Sequence, residues 1–153
     1  MVYKSLSSTL VVKLSFITEE ARSMVKNESL IYDKLPLGPG YARKQGMFWL
    51  GRDTCVLVIS NEGDPVTFGL LSTADRTFLF QNLVNLHKAG IYHGDFNERN
   101  VVSKNGGRPC IIDFSHSDMY HECRGVDGCD ELTMAKDVLG LRSSSISVQD
   151  QPF

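Results

Sequence analysis

His93-Gly94-Asp95-Phe96-Asn97-Glu98-Arg99-Asn100, with Asp113-Phe114-Ser115 beginning thirteen residues past Asn100, is the stretch on which the fold of this chain turns. Residues 72–88 precede it with a helical pattern. Leu79, Leu83 and Leu86 form one stripe, and Phe80, Val84 and His87 lie beside it. An apolar arc that broad belongs to a well-buried helix, and Gly90 is a natural stop for it. Between the two motifs, Val101-Val102-Ser103 and Cys110-Ile111-Ile112 read as short strands joined by the turn Asn105-Gly106-Gly107. A rigid helix and a tight hairpin thus hold two carboxylates and one amide on neighbouring loops. Such oxygen donors suit Mg²⁺.

Upstream, residues 10–16 alternate as a strand, with Leu10, Val12, Leu14 and Phe16 on one face and Val11, Lys13 and Ser15 on the other. A helix is expected next. Thr18 caps it, Glu19 and Glu20 suit the positive end of its dipole, and Ala21, Met24, Val25, Glu28, Ile31 and Leu35 recur at helical spacing. Glu28 therefore falls on the apolar stripe. Either it has a buried partner, since an unpaired buried charge is costly, or it sits at the edge of the stripe and reaches water. Met24 and Val25 read as ordinary helix packing. Pro36 and Gly40 bound a breaker cluster, and strands at 47–50 and 55–59 flank the turn Gly51-Arg52-Asp53. Phe48 and Trp49 are expected in the core. Residues 60–65 form a polar linker. Residues 130–141 suit a helix with Leu132, Ala135, Val138 and Leu139 inward, and 143–153 read as a flexible polar tail.

The bulk numbers fit one domain or two small lobes. The 153 residues are 42% hydrophobic and 22% charged, with a net charge of −2. That charge implies no basic face, so a nucleic-acid partner is not expected. No signal peptide or membrane span is legible. Cys55, Cys110, Cys123 and Cys129 are too scattered for a disulfide framework, and Cys55 and Cys110 sit in apolar runs where a thiol acts as a small hydrophobe. An intracellular protein, cytoplasmic or nuclear, is the expectation. His116, His121, Cys123 and Cys129 lack the spacing of a zinc site and read as incidental residues of a solvated loop.

The motifs resemble those of the protein-kinase superfamily. His93-Gly94-Asp95 with Asn100 looks like its catalytic loop, and Asp113-Phe114-Ser115 like its metal-binding motif. Val11-Val12-Lys13 is similar to the phosphate-binding lysine strand, with Glu28 as the helix partner of Lys13. The segment from Cys129-Asp130-Glu131-Leu132 to Leu139-Gly140-Leu141 resembles the ending of short fungal kinase-like proteins. The resemblance covers residues 10–142. It implies an α+β, shortened two-lobe kinase-like fold, with a reduced N-lobe over 1–60, a hinge at 61–65 and a truncated C-lobe over 66–142. ATP and Mg²⁺ are the implied cofactors. Asp95 would accept a proton from the attacking hydroxyl, and Asn100 and Asp113 would hold Mg²⁺. Lys13, fixed by Glu28, would meet the α- and β-phosphates. Backbone groups of Ser60, Asn61 and Glu62 would meet the adenine, and His93 would pack beneath the loop.

The sequence departs from that pattern in several places. No glycine precedes Lys13, so a glycine-rich phosphate lid is not expected there. Gly94 stands where an arginine usually reads a phosphorylated activation loop, and Asn97 where serine/threonine kinases carry a lysine. Arg99 is similarly placed to an arginine of tyrosine kinases and would neutralise the γ-phosphate. Ser115 replaces a glycine and should stiffen its loop. The implied reaction is transfer of a γ-phosphate to a hydroxyl of a protein or a small molecule, with a protein partner completing the lobes. The alternative is a non-catalytic nucleotide-binding or interaction module.

Overall fold

Residues 2–4, 9–15, 18–104 and 106–141 are described by the structure, a computed structural model. Phe16, Asn105 and the 143–153 tail lie outside them. β1 (Val2–Lys4) and β2 (Leu10–Ser15) pair antiparallel, which local patterning did not announce. Thr18 then caps α1 (Glu19–Lys34), its Oγ1 accepting the Ala21 N–H at 3.2 Å. β3 (Lys44–Leu50) and β4 (Thr54–Ser60) complete a four-stranded sheet in the order β1-β2-β4-β3. The unbroken apolar run of β4 suits its central place, and Cys55, Val56, Leu57 and Ile59 are buried. Phe48 and Trp49 do not join the core: they are 55% and 48% exposed. Their strand is the sheet edge, and the Trp49 ring meets the ammonium of Lys26 at 4.9 Å.

The polar linker ends in a strand. β5 (Asp64–Pro65) pairs with β6 (Val101–Ser103), which pairs with β7 (Cys110–Ile111), giving a second antiparallel sheet. Pro65 lacks an N–H, and β5 is an edge strand, where that lack is tolerated. Between them runs α2 (Thr73–Lys88), capped by Ser72, with Leu79, Phe80, Leu83, Val84, Leu86 and His87 buried. Gly90, at φ +76°, stops it: its N–H donates to His87 and the Ile91 N–H to Leu86, a Schellman closure. α3 (Asp130–Val138) ends the same way at Gly140. The architecture is α+β, with three helices and two antiparallel sheets among the described residues. One apolar cluster runs through both halves, from Ile31, Leu57 and Ile59 through Leu79, Leu83 and Phe114 to Leu132 and Leu139.

Candidate functional site

The face of β2 that carries Lys13 and Ser15 is its more buried one, while Leu10, Val12 and Leu14 are half-buried. Lys13 can be buried because it is paired twice. Its Nζ lies 2.6 Å from Glu28 Oε1 and 2.8 Å from Asp113 Oδ1. The pairing answers the open question about Glu28. Its carboxyl is 1% exposed, sits on the α1 stripe, and also accepts the Phe114 N–H at 3.3 Å. Burial raises the Glu28 pKa more than the Lys13 ammonium lowers it. Burial also raises that of Asp113, but there Lys13 and two hydrogen bonds from Ser115 prevail and hold the carboxyl below its usual range. The same ammonium therefore serves one carboxylate that resists ionisation and one that favours it.

Asp113 is the only described non-glycine residue with positive φ, at +64°. Aspartate tolerates that region better than most side chains, and the fold over-determines it. Phe114, 0% exposed, packs edge-on against Tyr32 at 5.1 Å and at a tilt against His93 at 5.2 Å. Ser115 Oγ donates to Asp113 Oδ1 at 2.7 Å.

The neighbouring loop is laced to this one. Asn100 Nδ2 donates to Asp95 Oδ2 and to the Asp95 carbonyl, both at 2.8 Å. Asn97 Nδ2 donates to Asp95 Oδ1 at 2.8 Å. The Asn100 carbonyl accepts the Ile112 N–H at 2.9 Å, one residue before Asp113. His93 lies beneath both loops. Its Nδ1 accepts the Asp95 N–H at 3.2 Å, so the ring proton is assigned to Nε2, which donates to the Ile112 carbonyl at 3.1 Å. Burial lowers the His93 pKa, and the neutral tautomer is the one that satisfies both contacts.

Gly94, at φ +80°, allows the loop to pass close to its neighbour: a Cβ there would stand 2.4 Å from the His116 carbonyl oxygen. Glu131 of α3 accepts the N–H groups of His93 and Gly94 at 2.9 and 2.8 Å. Hydrogen bonds from His87 and these two amides outweigh the burial that would raise its pKa, and hold it low.

Lys13 thus meets Glu28 and Asp113 directly, Asn100 meets Asp95 directly, and the two groups are joined through the backbone of Ile112, which Asn100 and His93 contact. Among the other residues singled out from sequence, Arg99 reaches the Asp95 group through its N–H, which donates to Asn97 Oδ1 at 2.9 Å. Arg99 is exposed. The Ser60 N–H is taken by the Arg43 carbonyl at 2.8 Å and the Asn61 N–H by Thr9 at 2.6 Å. Glu62 pairs with Lys104 at 3.2 Å.

The reading of the histidine and cysteine loop as incidental needs correction. His121, Cys123 and Cys129 gather with His87, their ligand atoms all within 4.8 Å of one another. His116 is exposed and is not part of the group. Sequence spacing missed His87 because it sits in the last turn of α2, far upstream of the other three. No family model matches the chain, and no curated protein matches it.

Proposed function

We propose that this chain is a phosphotransferase of the protein-kinase-like superfamily, carrying the γ-phosphate of ATP to a hydroxyl group. The observation that supports the reading most is the Lys13 ammonium held between the carboxylates of Glu28 and Asp113, at 2.6 and 2.8 Å. Three elements far apart in sequence spend a buried ion pair there, although an apolar replacement is often as stable.

The donor set fits a hard cation. Asn100 spends its amide nitrogen on Asp95, so its carbonyl oxygen carries the lone pairs for a metal. Asp113 is biased toward its ionised form. These two residues would hold Mg²⁺, which when bound neutralises charge on phosphate oxygens. Lys13 would pair with the nucleotide phosphates. Asp95, aimed by Asn97 and Asn100, would accept the proton as the hydroxyl O–H bond breaks, the new O–P bond forms at the γ-phosphorus, and the bond from that phosphorus to the bridging oxygen breaks with ADP leaving. The acceptor is a hydroxyl of a protein side chain or of a small molecule.

A second reading, a nucleotide-binding module without turnover, is favoured by the engagement of both Asp95 carboxylate oxygens, which accept from Asn97 and Asn100 at 2.8 Å. Melting temperatures with Mg²⁺–ATP, with ATP plus EDTA, and with neither separate the readings. Saturation near 100 Kd stabilises by about 2.7 kcal/mol. Absence of any metal-dependent shift refutes the phosphotransferase reading, for a protein and for a small-molecule acceptor alike. A shift that persists in Asp95→Asn, with no ATP consumed by the parent protein, selects the module.

A further inference from the structure

We propose that His87, His121, Cys123 and Cys129 form a structural zinc site that braces the Asp95 loop through Glu131. The site stands whether or not the chain binds a nucleotide. Two imidazoles and two thiols are a common ligand set for tetrahedral zinc. Zinc–sulfur and zinc–nitrogen bonds of about 2.3 and 2.0 Å set the sulfur–nitrogen edge of a tetrahedron near 3.6 Å. Cys129 Sγ lies 3.4 Å from His87 Nδ1 and 3.6 Å from His121 Nε2. Two edges are therefore already at length, and the widest separation in the group, within 4.8 Å, leaves about an ångström to close. Two thiolates balance the charge of Zn²⁺, which suits a site where His87 and Cys129 are 2% and 5% exposed. Binding releases the thiol protons to solvent.

Glu131 points to a metal independently. Metal-ligating histidines commonly donate their second ring N–H to a carboxylate. His87 Nε2 lies 2.7 Å from Glu131 Oε2, which turns the Nδ1 lone pair toward Cys129 and His121. The same carboxylate accepts the His93 and Gly94 amides, so the ligand, its orienting group and the loop bearing Asp95 form one chain of contacts. His121 closes the far side, its ring 4.8 Å from that of His87 and 5.1 Å from that of Tyr92. The bland alternative is a metal-free network in which the Cys129 thiol donates to one imidazole.

The full chain, purified and dialysed against metal-free buffer, is expected to retain about one zinc per chain by elemental analysis. Cobalt added after chelation should give the intense visible bands of a tetrahedral site, with thiolate-to-cobalt charge transfer. Cys123→Ser, at the least buried thiol of the pair, should lose most of that charge transfer and bind zinc far more weakly. Glu131→Gln should keep the tetrahedral spectrum while affinity falls roughly 10- to 100-fold. Chelation should speed amide exchange at His93 and Gly94. A parent protein that binds no zinc, or whose cobalt spectrum is weak and octahedral, overturns the site even if every variant misfolds. Full zinc affinity in Cys123→Ser overturns the ligand set. Unchanged exchange on chelation overturns the bracing.

Discussion

Replacing Lys13 with methionine removes the cation shared by the buried carboxyl of Glu28 and the partly exposed one of Asp113. Glu28 bears the larger cost, because it is 1% exposed and its oxygen keeps only the Phe114 N–H among the described partners. Breaking a buried pair by deleting one member costs about 3–5 kcal/mol. Domains of this size are stable by about 5–15 kcal/mol, so the variant should fold while losing a large share of its margin. The loss should depend on pH, and its sign follows from Glu28. Its folded pKa already lies above the ordinary 4.5, and removing the ammonium raises it further. The ionised form then costs stability above the folded pKa, and that cost fades as pH falls toward the unfolded value. Asp113 adds to the loss near neutral pH. Lys13 holds its pKa down, a contribution present above its unfolded value of 3.8 and diminished in the variant. Urea unfolding at about pH 8 and about pH 5.5 should give a larger loss at the higher pH. Lys13→Met/Glu28→Leu should recover much of it, because the apolar pair removes the orphaned charge. A loss below about 1 kcal/mol, or one equal at both pH values, would refute the account of a buried Lys13–Glu28 pair.

Gly94→Ala should cost about 1–3 kcal/mol, from left-handed strain and the clash with the His116 carbonyl; an unchanged melting temperature contradicts that backbone geometry. Stability should decline as pH falls below the unfolded His93 value of 6.5, because the unfolded ring takes a proton that the buried one refuses. His93→Gln should flatten that part of the urea-midpoint profile, and an equally steep profile would show that the proton is taken up elsewhere. Ser115→Ala should raise the Asp113 pKa toward its ordinary value by removing the 2.7 Å hydroxyl bond, as read by carboxyl NMR titration; no movement would mean that Lys13 and the Ser115 N–H set it without the hydroxyl. Asp113→Ala should abolish the metal-dependent part of any Mg²⁺–ATP stabilisation, and an unaltered shift would place the metal elsewhere.

Local patterns in the chain were enough to locate most of the helices and strands. The stripe of α2, its Gly90 stop, the 101–111 hairpin and the Thr18 cap are short-range features, set by side-chain period and backbone allowance within a few residues. The sequence also posed the right question about Glu28, since a carboxylate on an apolar stripe calls for a cation. Other features depend on long-range pairing. The burial of Lys13 follows from α1 covering that face of β2, and β1 exists as a strand through its partner rather than its own pattern. Phe48 and Trp49 are hydrophobic enough for a core, but the sheet order leaves them at an edge.

What the sequence by itself determined was the pair of polar loops and the elements that present them, because helix and hairpin periodicity is written residue by residue. What only the tertiary structure decided was which side chains meet. Lys13 reaches Asp113 across the fold, and His87 at the end of α2 faces a loop that returns with His121, Cys123 and Cys129. Contacts of that kind form when distant segments close over a shared core, and the spacing along a single segment carries no record of them.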